Sequence, residues 1–137
     1  MIDAIERTLE LAATPERVWR ALTDPEELAR WFPDRVEGTD LAAGSEGWFW
    51  WEDHGRYAFR LEAVEPPHRL VWRWAREKET PVDGATTTQV EWTLEPRAGG
   101  GTTLRLRESG FLRPEDREDN VKGWAAELAE LEALLAA

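Results

Sequence analysis

The chain contains no cysteine, which excludes disulfides, zinc–thiolate sites and cysteine nucleophiles together. Serine occurs only as Ser45 and Ser109, each beside a glycine in a turn. The two histidines are His54, at a hairpin tip, and His68, just after Pro66-Pro67. No spacing pairs these groups as nucleophile and base. Glu52-Asp53-His54 is a lone acidic tip with no second histidine at ligand spacing, so neither a metal nor a cofactor is expected. Positive charge is also scarce, 17 Lys and Arg against 28 Asp and Glu, for a net charge of −11. Without a Lys/Arg cluster, such a surface repels phosphate backbones and anionic lipid heads, so no nucleic-acid or membrane partner is expected. No apolar run approaches the ~20 residues of a membrane span, and the chain opens directly in a strand-like pattern. The expected location is cytoplasmic.

What is present is tryptophan, nine residues against one tyrosine and four phenylalanines. Each brings a large apolar area and one N–H that needs an acceptor when buried. The set either fills a core or lines a cavity. With 42% apolar and 33% charged residues, the 137-residue chain reads as one globular domain spanning 1–137.

The last third organises the rest. Pro114 suits a first helical position, and Glu115, Asp116, Glu118 and Asp119 follow it at the positive end of the helix dipole. Val121, Trp124, Ala125, Leu128, Leu131 and Leu135 then fall at helical spacing, with Lys122, Glu127, Glu130 and Glu132 outside the stripe. This predicts one helix from Pro114 to Ala136, roughly 33 Å long at ~1.5 Å per residue. It needs a sheet to cover its apolar face.

Ile5 to Leu11 alternates as a half-buried strand. Thr14-Pro15-Glu16 opens a helix, and Thr23 or Asp24 with Pro25 opens another, which predicts two short helices broken at Pro25. Period two then takes over. Strands are predicted over Val36 to Leu41, Trp48 to Glu52, Tyr57 to Ala63, Leu70 to Trp74, Val90 to Leu94 and Thr102 to Glu108. Turns fall at Gly44 to Gly47, Asp53-His54-Gly55, Pro66-Pro67, Asp83-Gly84 and Gly99 to Gly101. Short turns between alternating strands make an antiparallel sheet with one apolar face. Such a sheet curls, with the final helix across its concave side. The fold class is α+β.

Thr14-Pro15-Glu16-Arg17-Val18-Trp19-Arg20-Ala21-Leu22-Thr23-Asp24-Pro25-Glu26, followed by Trp31, resembles the opening of START-like (SRPBCC) domains related to the activator of the 90-kDa heat-shock protein ATPase. Three further motifs agree in order and spacing: Val64 to Trp74 around Pro66-Pro67-His68, Gly101-Thr102-Thr103-Leu104 leading to Glu108-Ser109-Gly110-Phe111, and Gly123-Trp124. The resemblance covers essentially the whole chain. It implies the helix-grip fold, as in the birch-pollen allergen, with a cavity between curved sheet and C-terminal helix. By the same resemblance the early helices and the loop from Asp34 to Gly47 form a lid. Relatives bind apolar or aromatic small molecules, act as polyketide cyclases, or stimulate a chaperone ATPase. The eukaryotic chaperone activator adds a separate N-terminal domain, for which 137 residues are expected to leave no room.

The expected function is therefore binding of an apolar, aromatic or lipid-like small molecule. A cyclase/aromatase-like enzyme and a chaperone-stimulating module are the alternatives, and either a monomer or a homodimer is compatible with the composition. Expected ligand contacts are Trp50, Tyr57, Phe59, Trp72, Trp74, Trp92, Glu108, Asn120 and Trp124. Taken singly, each aromatic residue also fits a packed core. Glu108 shares the parity of Leu104 and Leu106, which points it inward. There it needs a donor or a cation such as Arg35 or Arg56 to offset its desolvation. It is expected to orient a ligand or, in the enzyme alternative, to move a proton. Gly123 in mid-helix costs ~1 kcal/mol relative to alanine, which points to close approach of the sheet or a ligand, or to a bend.

Overall fold

The computed structural model describes residues 2–38 and 40–136. Its elements run β1 (Ile5–Leu11), α1 (Pro15–Thr23), α2 (Pro25–Trp31), β2 (Arg35–Glu37), β3 (Glu46–Trp51), β4 (Gly55–Glu65), β5 (Arg69–Ala75), β6 (Thr87–Pro96), β7 (Thr102–Ser109) and α3 (Pro114–Ala136), with a single 3-10 turn at Val82–Gly84. The strands form one antiparallel sheet in the order β1-β7-β6-β5-β4-β3-β2. This is the α+β helix-grip arrangement, a curved sheet gripping a long C-terminal helix.

The helix starts follow their capping chemistry. Thr14 accepts a hydrogen bond from the Arg17 backbone N–H at 3.2 Å, and Pro15 takes the first helical position. Asp24 ends α1 and caps α2, accepting from the Glu26 N–H at 3.0 Å. Val18, Ala21, Leu22, Leu28 and Trp31 are all buried, so these two helices are an integral wall of the core. From α3 the buried residues are Trp124, Leu128 and Leu131, while Ala125 is exposed although it fits the apolar stripe.

Two strands depart from the sequence reading. The strand predicted over Val36 to Leu41 is only Arg35–Glu37, and within the predicted stretch Thr39 lies outside the described residues. In β4 the register with β5 shifts between Leu61 and Ala63. This bulge turns Ala63 outward and brings Val64 against the core, reversing the parity that simple alternation implies. On β3, Gly47 lies opposite Phe59, and a Cβ on it would run into the Glu37 carbonyl oxygen of β2 and lie 2.7 Å from Phe59 Cζ.

The core is strongly aromatic. Phe49 stacks on Phe59 with centroids 4.3 Å apart, Trp72 lies 5.9 Å from Trp92, and Trp31 meets Trp92 edge-on at 6.0 Å. Trp31 donates its indole N–H to the Ala21 carbonyl at 2.8 Å. The N–H groups of Trp72 and Trp92 meet no acceptor among the described residues.

Candidate functional site

The inner sheet face and α3 do not close completely on one another. Between the N-terminal half of α3, the end of β5 and the β3–β4 hairpin lies an open cleft of about 510 Å³. Phe32 closes its inner side from the end of α2, Trp51 and Tyr57 come from β3 and β4, and Trp74 ends β5. α3 supplies Asp119, Asn120, Gly123, Trp124 and Glu127, which share one helical face. Phe32 stacks on Trp124 at 5.4 Å with the planes 6° apart, Trp74 lies 5.9 Å from Trp124, and Trp51 meets Tyr57 at 5.8 Å.

Glu108 sits directly behind these walls with 0% of its surface exposed. Its Oε1 accepts the Trp124 indole N–H at 2.7 Å and the Asn120 amide at 2.9 Å. Its Oε2 accepts the Trp74 indole N–H at 2.8 Å, the Thr88 hydroxyl at 2.5 Å and the Asn120 amide at 3.1 Å. Thr88 also accepts from the Trp74 N–H at 2.8 Å, which leaves its own proton for Glu108. Indole and amide N–H groups only donate, so the carboxyl acts as an acceptor on both oxygens. The expected partners Arg35 and Arg56 are not there: Arg35 pairs with Glu37, and Arg56 with Glu37 and Glu79. Neutral donors from β5, β6 and α3 replace the cation.

Asn120 bridges outward as well. Its Oδ1 accepts from Arg76 at 2.9 Å, which also identifies the Nδ2 facing Glu108 as the donor. A second Arg76 nitrogen lies 3.6 Å from Asp116. Arg76 and His54 complete the rim of the cleft.

Of the expected contact residues, Tyr57, Trp74, Asn120 and Trp124 line this cleft, and Glu108 holds three of them in place. Phe59, Trp72 and Trp92 face inward and are buried in the packed core away from the cleft, whereas Trp124, only 2% exposed, belongs to that core and also borders the cleft. Trp50 is a correction. It points to the opposite sheet face, where the Arg35 guanidinium lies 4.6 Å from its ring, while Phe49 and Trp51 take the inner positions.

Two residues acquire a place that the sequence reading did not give them: Phe32 is a wall, and Glu127 lies within the cleft instead of outside the apolar stripe. Gly123, read as a point of close approach by the sheet or a ligand or as a bend, also lines it. A Cβ built on Gly123 meets nothing within 4 Å, so neither sheet approach nor a clash requires the glycine. Its effect is to leave room. Glu127 is half-buried, and its carboxyl is pushed up to about 7, first by burial and then by the nearby charges of Glu130 and Asp34. The spacing of Asn120, Trp124 and Glu127 on one helix face was the available signal for it.

The architecture and the motifs define the class. The sequence profile of the family described as activator of Hsp90 ATPase homolog 1-like protein matches residues 12–136. The chain belongs to that family, within the START-like superfamily. It is similar to the crystal structure of protein MLL2253 from Mesorhizobium loti, at 28% identity and a TM-score of 0.84, over 97% of this chain and 96% of that one. It is also similar to DynU16, a protein from the dynemicin biosynthetic locus, at 27% identity and a TM-score of 0.84; all of this chain is covered but only 48% of DynU16. CalU16 from Micromonospora echinospora matches at 26% identity and a TM-score of 0.79, over 96% of this chain and 75% of that one. None of the curated proteins compared with the chain matches it. No helix of the described residues is long and apolar enough to cross a membrane.

Proposed function

We propose that the protein binds a small molecule with an aromatic or apolar body in the cleft between α3 and the ends of β3, β4 and β5. The observation that carries this reading is an open space of about 510 Å³ walled by Phe32, Trp51, Tyr57, Trp74 and Trp124. Its size falls in the range of small-ligand sites, and aromatic walls with a few convergent polar groups are the usual composition of such sites. Glu108 supports the reading as a positioning residue. By anchoring the N–H edges of Trp74 and Trp124 it fixes two rings at the cleft edge, so less side-chain freedom is lost when a ligand arrives. The test is a thermal-shift screen with aromatic polyketides, flavonoids, fatty acids and sterols. A ligand at a hundred times its Kd adds about 2.7 kcal/mol of stability. A shift that disappears in Gly123→Trp supports the cleft as the site, and no shift across the panel counts against it.

A second reading, proton-transfer catalysis of the cyclase/aromatase kind, is favoured by one observation. Glu127 opens on the cleft and changes charge near neutral pH, as a general acid or base must. The Glu108 carboxyl is sealed and saturated with donors, so it does not fill that role. Turnover of a substrate by wild type and its loss in Glu127→Gln, with substrate affinity retained, supports catalysis; retained turnover disposes of it. Chaperone stimulation rests on the family's description alone. It is tested by the ATPase rate of a 90-kDa heat-shock protein with and without this chain.

A further inference from the structure

The charges around the cleft do not balance. Asp119 and Glu127 line it, and Glu108 lies just behind its indole walls. None of these three carboxylates has an ion-pair partner among the described residues. The single arginine of the rim, Arg76, lies against Asp116 and is hydrogen-bonded to Asn120. The partly exposed rings of Trp51, Tyr57 and Trp74 add to this imbalance, because an aromatic face presents negative potential to whatever lies over it, whereas Trp124 is only 2% exposed and stacked on Phe32. The Trp74 and Trp124 N–H groups, the positive edges of these rings, are taken up by Glu108 and are not offered to an anion in the cleft. Walls of tryptophan and tyrosine with a carboxylate beside them are the arrangement that recognises an alkylammonium group.

We propose that the cleft selects a cationic ligand, an aromatic or apolar molecule carrying an ammonium or quaternary ammonium group, with the cation set between the rings of Trp51, Tyr57 and Trp74 and the carboxylate of Glu127. The inference rests on the cleft being the ligand site and adds the chemistry of the ligand. The apolar body fills the space beside Gly123 and Phe32. The cation takes the place of the absent counterion of Glu127 and relieves its repulsion by Glu130 and Asp34. Anionic compounds are rejected by the same field.

The experiment is isothermal calorimetry of the full chain with three probes on one ring system: (1-naphthylmethyl)trimethylammonium, 1-naphthalenemethanol and 1-naphthylacetate. At pH 8 and low salt, the quaternary probe is expected to bind at least about fivefold tighter than the alcohol, the ratio for ~1 kcal/mol of cation–π and ionic attraction. The acetate is expected to bind more weakly than both. In Glu127→Gln the ratio of cation affinity to alcohol affinity falls toward one. A fixed charge on the probe also makes the pH arm informative. Between pH 6 and 8 its affinity rises as Glu127 ionises, and in Glu127→Gln that rise is lost. The other titratable or charged groups around this carboxyl and the cleft are Glu130, Asp34, Asp119, Arg76, His54 and Tyr57. The arm is therefore run with His54→Gln in both proteins. Equal affinity for the three probes, or a preference for the acetate, overturns the proposal and leaves the cleft reading standing. Binding of none of them counts against both. A cation preference that survives Glu127→Gln overturns the role given to that residue.

Discussion

Glu108 on β7 and Trp124 on α3 are joined by a 2.7 Å hydrogen bond from the indole N–H to Oε1, buried where the long helix crosses the sheet. The bond ties the two halves of the fold together beneath the cleft wall, with Trp74 supplying the matching bond from the sheet side.

Replacing Glu108 by Gln is expected to damage the fold. The amide brings an NH2 group to a site where Trp74, Thr88, Asn120 and Trp124 all donate, so donors face donors. The expected loss is roughly 2–4 kcal/mol. For a chain of this size that lowers Tm by roughly 6–15 °C. A Tm within about 2 °C of wild type contradicts the structural role. Lost activity in this variant does not by itself identify a proton donor.

The tryptophans separate into two kinds on the same criterion. Trp74→Phe and Trp124→Phe each remove a hydrogen bond to a carboxylate, worth about 1.5–3 kcal/mol, in addition to ring volume. Trp72→Phe and Trp92→Phe remove an N–H with no partner among the described residues, so only the volume is lost. Denaturant midpoints are expected to fall further for the first pair than for the second. Equal shifts in all four contradict the account.

Much of the fold was legible because its signals are local. Thr14 with Pro15, Asp24 with Pro25, and Pro114 with the acidic turn after it act through nearest neighbours and mark the helices where they occur. The facing of Trp72, Trp74 and Trp92 follows from alternation alone. How far each ring lies from the cleft does not, because sheet curvature and the crossing point of α3 decide it. Trp74 reaches the opening, while Trp72, two residues earlier on the same strand, is buried under Phe32 and Phe49. The bulge beyond Leu61 inserts one residue and reverses parity, and the sequence around Glu62 carries no glycine or proline to mark it. Trp50 was misplaced because β3 carries aromatic residues on both faces, so amphipathicity does not say which face is inside. Glu108 was legible as an inward carboxylate, but its partners come from three separate elements that only the tertiary structure brings together.

Glu127 sets a pH dependence whose sign is fixed. Its folded pKa of about 7 lies above the ordinary carboxyl value, so the folded state holds the proton more tightly than the unfolded chain. The stability this contributes is complete below about pH 4.5 and is lost as pH rises to about 7. Because the group is partly solvated, the loss is roughly 1–2 kcal/mol after screening. Glu127→Gln is expected to lie above wild type by that amount at pH 8 and to converge with it at acidic pH. Parallel stability–pH curves for the two proteins contradict the assignment.

Gly123 separates stability from binding. Gly123→Ala meets no neighbour within 4 Å and gains helix propensity, so stability is expected to rise by about 0.5–1 kcal/mol. Gly123→Trp places an indole in the cleft and is expected to abolish ligand binding while the chain still unfolds cooperatively near the wild-type Tm. A destabilised Gly123→Ala would mean that the helix requires the glycine for its own geometry.

The most direct test of the cleft as the ligand site is a nitrogen-15 spectrum of the nine tryptophan indole N–H groups during titration with a thermal-shift hit. The account predicts that the signals of Trp51, Trp74 and Trp124 move together, with one saturation curve, while those of Trp72 and Trp92 in the packed core and Trp50 on the opposite sheet face stay in place. Movement confined to Trp48 and Trp50 would put the ligand on the outer face of the sheet and contradict the cleft as its site.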